Sequence, residues 1–259
     1  MEIFLASPTG DVSIWAAALL FLGIAFMYSS VGLGGGSSYT ALLTIFGVSY
    51  IVIPTVSLSL NLIVTLAGSI NFIRRKHARF GLIWPFLVTS IPAAYLGGSL
   101  HLSQTIFGWL LFISLIFVAA RIYLVEDLKL GFELSDLTKS VLPFGLGGLL
   151  GFLAGAVGIG GGIYLVPLII LFGLGKEKEA AATGAIFIWI NSLFGIIARV
   201  QVHEITYSDY LPLIGAVAIG GFFGSYLGAS RISPKVIQRI LGIVILVALV
   251  LLVRKLLLA

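Results

Sequence analysis

Two glycine clusters interrupt long apolar stretches of this chain at corresponding places in its two halves. Residues 31–36 read VGLGGG and residues 157–162 read VGIGGG, which is an offset of 126 residues from 31 to 157. Glycine clusters break helices, and backbone freed at membrane depth must be buried in protein or line a cavity. A matched pair of such interruptions is the best sequence indication of a transporter binding site.

The composition indicates that this chain is embedded in a lipid bilayer. Charged residues make up 10% of the sequence and hydrophobic residues 59%, whereas a soluble domain carries roughly 25% charged residues. The net charge of +5 does not indicate nucleic acid, because the basic residues cluster in short loops beside apolar stretches. No cysteine is present, which excludes thiolate metal sites and disulfides. The sequence therefore predicts a polytopic membrane protein with no metal site.

Ten apolar stretches predict an all-α fold. Most reach the roughly 20 residues that a helix needs to cross the hydrocarbon core, but the two that follow the glycine clusters are only about half as long. The first twelve residues contain no Lys or Arg, so we expect no cleavable signal peptide and a retained first stretch. The stretches are 13–31, 37–48, 51–73, 82–99, 104–123, 140–157, 163–174, 180–199, 208–228 and 235–253.

The chain is divided into two homologous repeats. We assign residues 1–123 and 140–259 to the repeats and residues 124–139, the most polar stretch, to a linker. Besides the glycine clusters, the matched positions include Phe46-Gly47 with Phe172-Gly173 and Tyr95-Leu96-Gly97 with Tyr226-Leu227-Gly228. Glycines also recur four residues apart in two stretches, which predicts close helix packing there. These glycines are Gly147, Gly151, Gly155, Gly220, Gly224 and Gly228.

The glycine segments leave two topologies open. If residues 13–48 form one broken helix that crosses the membrane, each half crosses four times and the repeats are parallel. If each cluster is instead the tip of a re-entrant hairpin, each half crosses three times and the repeats are inverted. The inverted arrangement places more of the Lys and Arg residues on one side and is favoured by the positive-inside rule. Against it, residues 13–31 are long enough to cross alone.

The helix starts after the glycine clusters are the first candidate site. A helix that begins there directs free backbone N–H groups and the positive end of its dipole at the break, and two such ends would bind an anion. Few ionisable residues lie deep in a span, since Arg199 and Arg239 are near span ends where they can snorkel, so we expect a neutral site. Alternatively, the glycines only permit close helix packing. The candidates are Gly34, Gly35, Gly36, Ser37, Ser38, Gly160, Gly161, Gly162 and Ile163.

Polar residues in the following stretches are the second group of candidates. Asn61 and Asn191 each occur mid-span in corresponding helices, one helical turn out of alignment, so they could face a common centre. Each is either a substrate ligand or a hydrogen-bonding contact between helices, because a carboxamide in hydrocarbon needs a partner. Ser57 and Thr183 could add hydrogen bonds, although a hydroxyl can also bond its own helix backbone.

The duplicated glycine motif resembles that of the TauE/SafE family of sulfite-exporter-like permeases. The resemblance covers essentially the whole chain, and it departs at Pro54-Thr55-Val56-Ser57, which carries no close copy of the family's usual Thr-Ser pair. It implies transport of sulfite, thiosulfate or a sulfonate across the inner membrane of a prokaryote. The matching segments are 31–36, 154–162, 166–167, 180–184, 191–195 and 226–228.

The resulting hypothesis is a secondary transporter for a small sulfur-containing anion, held between the breaks at residues 32–38 and 158–164. Its expected partners are the anion and the lipid bilayer; no cofactor is expected, and a homo-oligomer is left open. An anion channel with the same site is the alternative. No nucleophile elbow, Walker loop or HExxH motif is present, which argues against an enzyme.

Overall fold

All ten predicted apolar stretches form helices. The computed structural model describes residues 4–5, 12–30, 33–124, 135–202, 207–227 and 234–258. Two short strands, β1 (Phe4–Leu5) and β2 (Val12–Ser13), pair antiparallel before the first helix. The helices are α1 Ile14–Ser30, α2 Gly36–Ile45, α3 Ile53–Arg74, α4 Phe80–Ser99, α5 Gln104–Leu124, α6 Asp136–Val157, α7 Gly162–Leu171, α8 Glu177–Val202, α9 Leu211–Leu227 and α10 Pro234–Leu258, with a 3₁₀ turn at Tyr207–Tyr210 before α9.

The helices confirm a multi-pass membrane protein. Within the described ranges, α3, α4, α5, α6 and α8 are long and apolar enough to cross a bilayer. The helices α2 and α7, which follow the glycine clusters, have 10 residues each and are about half a span. Helix α6 begins inside the predicted linker because Ser135 caps it: the Ser135 hydroxyl accepts a hydrogen bond from the Thr138 N–H at 3.3 Å. Residues 125–134 of that linker lie outside the described residues.

The short helices α2 and α7 end in the same way. Gly47 and Gly173 adopt left-handed backbone conformations, with φ values of 70° and 63°. After each glycine, the next N–H bonds a carbonyl five residues back, from Val48 to Leu43 and from Leu174 to Ile169. This is the Schellman motif, in which glycine is favoured because it has no Cβ. The Phe-Gly pairs that the two halves share in sequence therefore form the same local structure.

The glycines spaced four apart pack helix against helix, as predicted. A Cβ on Gly147 or Gly155 would collide with the carbonyl of Phe86 or Ala94 in α4. In the same way, Gly220 and Gly224 of α9 contact Leu22 and Phe26 of α1. Because the residue numbers rise together in each pair, α6 runs parallel to α4 and α9 runs parallel to α1. Gly228 lies outside the described residues.

Corresponding helices of the two halves run antiparallel to each other. Gly195 of α8 contacts Leu58 of α3, whereas Ala185 of α8 is the neighbour of Gly68, so the numbers rise in one helix as they fall in the other. Helices α5 and α10 are also antiparallel, since Gly108 contacts Leu256 and Tyr123 contacts Gly242. The helices α3 and α8 therefore cross the centre of the molecule in opposite directions.

Candidate functional site

The second glycine cluster, between α6 and α7, requires glycine for its backbone conformation. Gly158, Gly160 and Gly161 have φ values of 86°, 81° and 73°, a region that L-residues with a side chain rarely adopt. Gly158 closes α6, and its N–H bonds the Ala154 carbonyl at 2.9 Å. The chain then turns through the next glycines and begins α7 at Gly162.

The first cluster, between α1 and α2, requires glycine for a different reason. None of Gly34, Gly35 and Gly36 has a positive φ. A Cβ on Gly34 would lie 2.9 Å from the Asn61 Oδ1, and a Cβ on Gly35 would collide with the Tyr39 ring. The similar motifs therefore use glycine for close approach in one half and for left-handed backbone in the other. Val31 and Gly32 lie outside the described residues.

The two breaks meet in the middle of the molecule. A Cβ on Gly36 would collide with the Ile159 carbonyl, so the first and second breaks touch through their backbones. The Ser57 Oγ lies 2.8 Å from the carbonyl oxygen of Gly158 and 3.2 Å from that of Gly36. Thr40 supports this bridge, with its Oγ1 2.9 Å from the Ser57 Oγ. Ser57, named from the sequence, therefore lies between the two breaks.

Asn61 lies where both breaks converge, and its carboxamide has no partner in the described part of the chain. Its relative exposure is 0%, and neither Nδ2 nor Oδ1 has a hydrogen-bond partner among the described residues. The side chain stands against Gly34 and Gly36 of the first break and Gly160 of the second. A buried carboxamide offers two donors and an acceptor, and leaving them unpaired is costly. Such a group indicates a place for a ligand.

Asn191 lies elsewhere on α8. Ile188, three residues earlier and at offset 127 from Asn61, is the α8 residue that contacts Gly34, Gly160 and Gly162. The Nδ2 of Asn191 donates to the Phe187 carbonyl of its own helix at 2.8 Å, while its Oδ1 is buried without a partner. The structure therefore brings Asn61 and Ile188 together at the breaks.

The remaining predicted residues divide between the helix starts and the helix backbone. Both Ser37 and Ser38 lie in the first turn of α2, with each Oγ 3.0 Å from the Tyr28 hydroxyl. Ile163 is buried in the first turn of α7. Thr183 donates to the Glu179 carbonyl of its own helix at 2.8 Å, so its hydroxyl is already satisfied.

Arg199 does not snorkel, contrary to expectation. Its relative exposure is 3%, and its guanidinium binds the last turn of α6. The Nε and Nη2 donate to the Gly155 carbonyl at 3.2 and 3.1 Å, and Nη2 also donates to the Ala156 carbonyl at 2.8 Å. The physical reason is that the final carbonyls of a helix lack intrahelical partners and carry the negative end of its dipole.

Arg121 is a second cation that the sequence interpretation did not place at the site. It lies in α5, and its Nη1 is buried with no hydrogen-bond partner among the described residues. It interacts electrostatically with Tyr28, whose hydroxyl contacts the serines at the start of α2. The described residues in contact with the breaks are neutral, but an arginine stands near each break. Each of these arginines lies three residues before the end of its helix, at Leu124 or Val202.

Comparisons with known proteins agree with this architecture. The family model described as "Sulfite exporter TauE/SafE" matches residues 16–252. The "Probable membrane transporter protein y4hK" of Sinorhizobium fredii is 30% identical over 251 residues, covering 92% of this chain and 97% of the relative. No solved structure matches the chain significantly.

Two further relatives extend the similarity across distant prokaryotes. The "Probable membrane transporter protein YjnA" of Bacillus subtilis is 26% identical, over 89% of this chain and 96% of its own. The "Probable membrane transporter protein MJ0441" of Methanocaldococcus jannaschii is 28% identical, over 85% of this chain and 89% of its own. With a family match over nearly its full length and a relative at 30% identity, this chain belongs to the TauE/SafE family of membrane transporters.

Proposed function

We propose that this chain is a secondary transporter for a small sulfur-containing anion such as sulfite, thiosulfate or a sulfonate. The observation that carries the proposal is the Asn61 carboxamide, which is fully buried, has no partner among the residues that the structure describes, and is enclosed by glycines of both breaks. An occluded polar group between two halves suits a carrier that opens to one side at a time. The family description supports the substrate class.

The helix starts supply the reason for an anion. The helices α2 and α7 begin at Gly36 and Gly162, and the first N–H groups of each helix have no intrahelical partner. Those N–H groups and the positive dipole ends favour oxyanions without a buried charged ligand. In this proposal, the N–H groups of 34–38 and of 160, 161 and 163 bind the oxygens, and the Asn61 Nδ2 adds a donor; the Gly162 N–H already donates to the Gly160 carbonyl at 3.0 Å.

The two halves are proposed to form an inverted repeat. Support comes from the opposite directions of the corresponding helices α3 and α8, and of α5 and α10. In this repeat α1 corresponds to α6 and α4 corresponds to α9. The same two-fold axis therefore relates the packed pair of α4 and α6 to the packed pair of α9 and α1. Such a repeat lets one hairpin rock against the other around a fixed site. We place the protein in the inner (plasma) membrane of a prokaryote, because the membrane transporters to which it is similar come from prokaryotes.

The test is substrate-dependent stability and flux in the Asn61→Ala variant. A ligand that binds only the folded state at about 100 times its dissociation constant adds about 2.7 kcal/mol. We expect wild-type protein in detergent to show a melting shift with one of sulfite, thiosulfate or sulfoacetate, and not with chloride. Asn61→Ala should lose that shift and the flux into proteoliposomes, while the unliganded variant melts no lower than wild type. An unpaired buried carboxamide costs about 1–3 kcal/mol, so its removal is tolerated.

The control is Ser69→Ala on the same helix. The Ser69 hydroxyl is also buried without a partner, two turns beyond Asn61. It should keep both the shift and the flux. A folded Asn61→Ala protein with wild-type shift and flux would contradict the proposed site. Trans-stimulation of flux would separate a carrier from an anion channel, which shows none.

A further inference from the structure

Arg199 is a buried cation that has no carboxylate partner within the described ranges. Among the described residues, the hydrogen bonds of Arg199 all go to the carbonyls of Gly155 and Ala156. A charge held in a membrane span is expensive, and such residues line substrate or ion pathways as a rule. The natural counter-charge in an anion transporter is the anion.

One edge of the Arg199 guanidinium is unused. The bonds to α6 come from Nε and Nη2, whereas Nη1 has no acceptor among the described residues. A guanidinium carries five N–H donors in a planar fork that matches oxyanion geometry. Beside it lies a cavity of about 20 Å³, room for about one water molecule, lined by Tyr50 and Ile51 before α3 and by Leu100 and Leu102 before α5. The guanidinium therefore lies next to the α2–α3 and α4–α5 connections, at one end of the helix bundle.

Arg199 also holds the end of α6, directly before the second break. Gly155 and Ala156 precede Gly158, whose carbonyl accepts the bond from Ser57 between the breaks. The corresponding position of the first half, 127 residues earlier, is Phe72. The first half therefore has no arginine at the equivalent position of α3, and the arginine near its break, Arg121, lies in α5 instead. This difference between the two halves indicates that Arg199 acts at one end of the transport path.

We propose that Arg199 is a second anion-binding residue, at the mouth formed by the 46–52 and 100–103 connections. An entering oxyanion binds the free Nη1 edge and then displaces the α6 carbonyls from Nη2, which releases the α6 end so that the α6–α7 hairpin can move. The inference rests on the proposed function, because it names a residue of the same path. The ligand class is a small oxyanion, recognised by two parallel N–H donors.

The experiment measures sulfite flux in oriented proteoliposomes, with sulfite added on either side, for Arg199→Gln and Arg199→Lys. Loss of a charge-assisted hydrogen bond predicts about a tenfold rise in KM for Arg199→Gln from the side of the mouth, and little change from the other side. Arg199→Lys, which keeps the charge but not the fork, should lie between. Arg254→Gln is the control: Arg254 is exposed on α10, two residues from Leu256, which packs on Gly108 beside the cavity residue Phe107. It should keep the wild-type KM.

A helix cap without anion binding gives a different result. Arg199→Gln would then lower the melting temperature and the maximal rate with unchanged KM from both sides, which would overturn the proposal. If Arg199→Gln does not fold, Arg199→Lys decides, since wild-type KM from both sides would also overturn it. Failure of the proposed function is separate: wild-type protein itself would show neither sulfite flux nor a sulfite-dependent melting shift.

Discussion

The Asn61 carboxamide occupies the space that a Cβ on Gly36 would need. The Asn61 Nδ2 and the Ile159 carbonyl both stand in that space, so a side chain there would displace the polar group and the opposite break together. At this point α3 contacts both glycine clusters.

Gly36→Ala should destabilise the protein and abolish transport. The added methyl would meet backbone of the second break, which cannot move aside as a flexible side chain can. Overpacking of this kind costs about 1–3 kcal/mol. The melting temperature in detergent and flux in proteoliposomes check this. Gly23→Ala in α1 is the matched control, because a Cβ there meets nothing within 4 Å; that variant should be as stable as wild type or slightly more so.

Gly161→Ala tests the backbone of the second break. Its φ of 73° costs an alanine about 1–2 kcal/mol, and the new Cβ would lie 2.9 Å from the Phe187 ring. We expect a lower melting temperature and a large loss of flux. Gly173→Ala shares the left-handed φ but faces open space beyond α7. It should lose stability and keep its flux per folded molecule; equal flux in both variants would count against a role for the break.

Ser57→Ala should weaken the contact between the breaks. The Ser57 hydroxyl donates to the Gly158 carbonyl at 2.8 Å in a fully buried place, and the orphaned acceptor would cost about 1–3 kcal/mol. Ser59→Ala is the comparison, since the Ser59 hydroxyl donates to the Thr55 carbonyl of its own helix at 2.8 Å. Thermal unfolding of both variants checks the difference. A Ser59→Ala protein as unstable as Ser57→Ala would refute the bridge.

Gly155→Ala should separate α6 from α4. Its Cβ would collide with the Ala94 carbonyl, and the stretch also carries the bond from Arg199. A lower melting temperature is expected because two helix backbones must move apart. Gly145→Ala lies on the same helix with nothing within 4 Å and should be neutral or stabilising. Unfolding in detergent compares the two, and equal melting temperatures would contradict the predicted packing.

The sequence predicted the helices closely, whereas the contacts at the candidate site depend on the tertiary structure. Composition and segment length identified the ten helices, and the Phe-Gly matches gave the ends of α2 and α7, because these features depend on residues that are close together in the chain. Asn61 and Ser57, two of the candidate ligands, are buried on α3, and their role as ligands stays a prediction, as does that of Asn191. Arg199, expected near a span end where it could snorkel, is buried and binds the end of α6 instead.

What the sequence alone determined is a membrane protein of two half-chains, each with a helix interrupted by glycine, because apolar composition and the loss of Cβ act locally on the backbone. What only the tertiary structure decided is which side chains meet across the breaks. Ile188 and Asn61 both contact Gly34 and Gly160, and Arg199 binds the end of α6. Those contacts depend on the register and direction of helices that lie about half a chain apart, and no local pattern of residues encodes them.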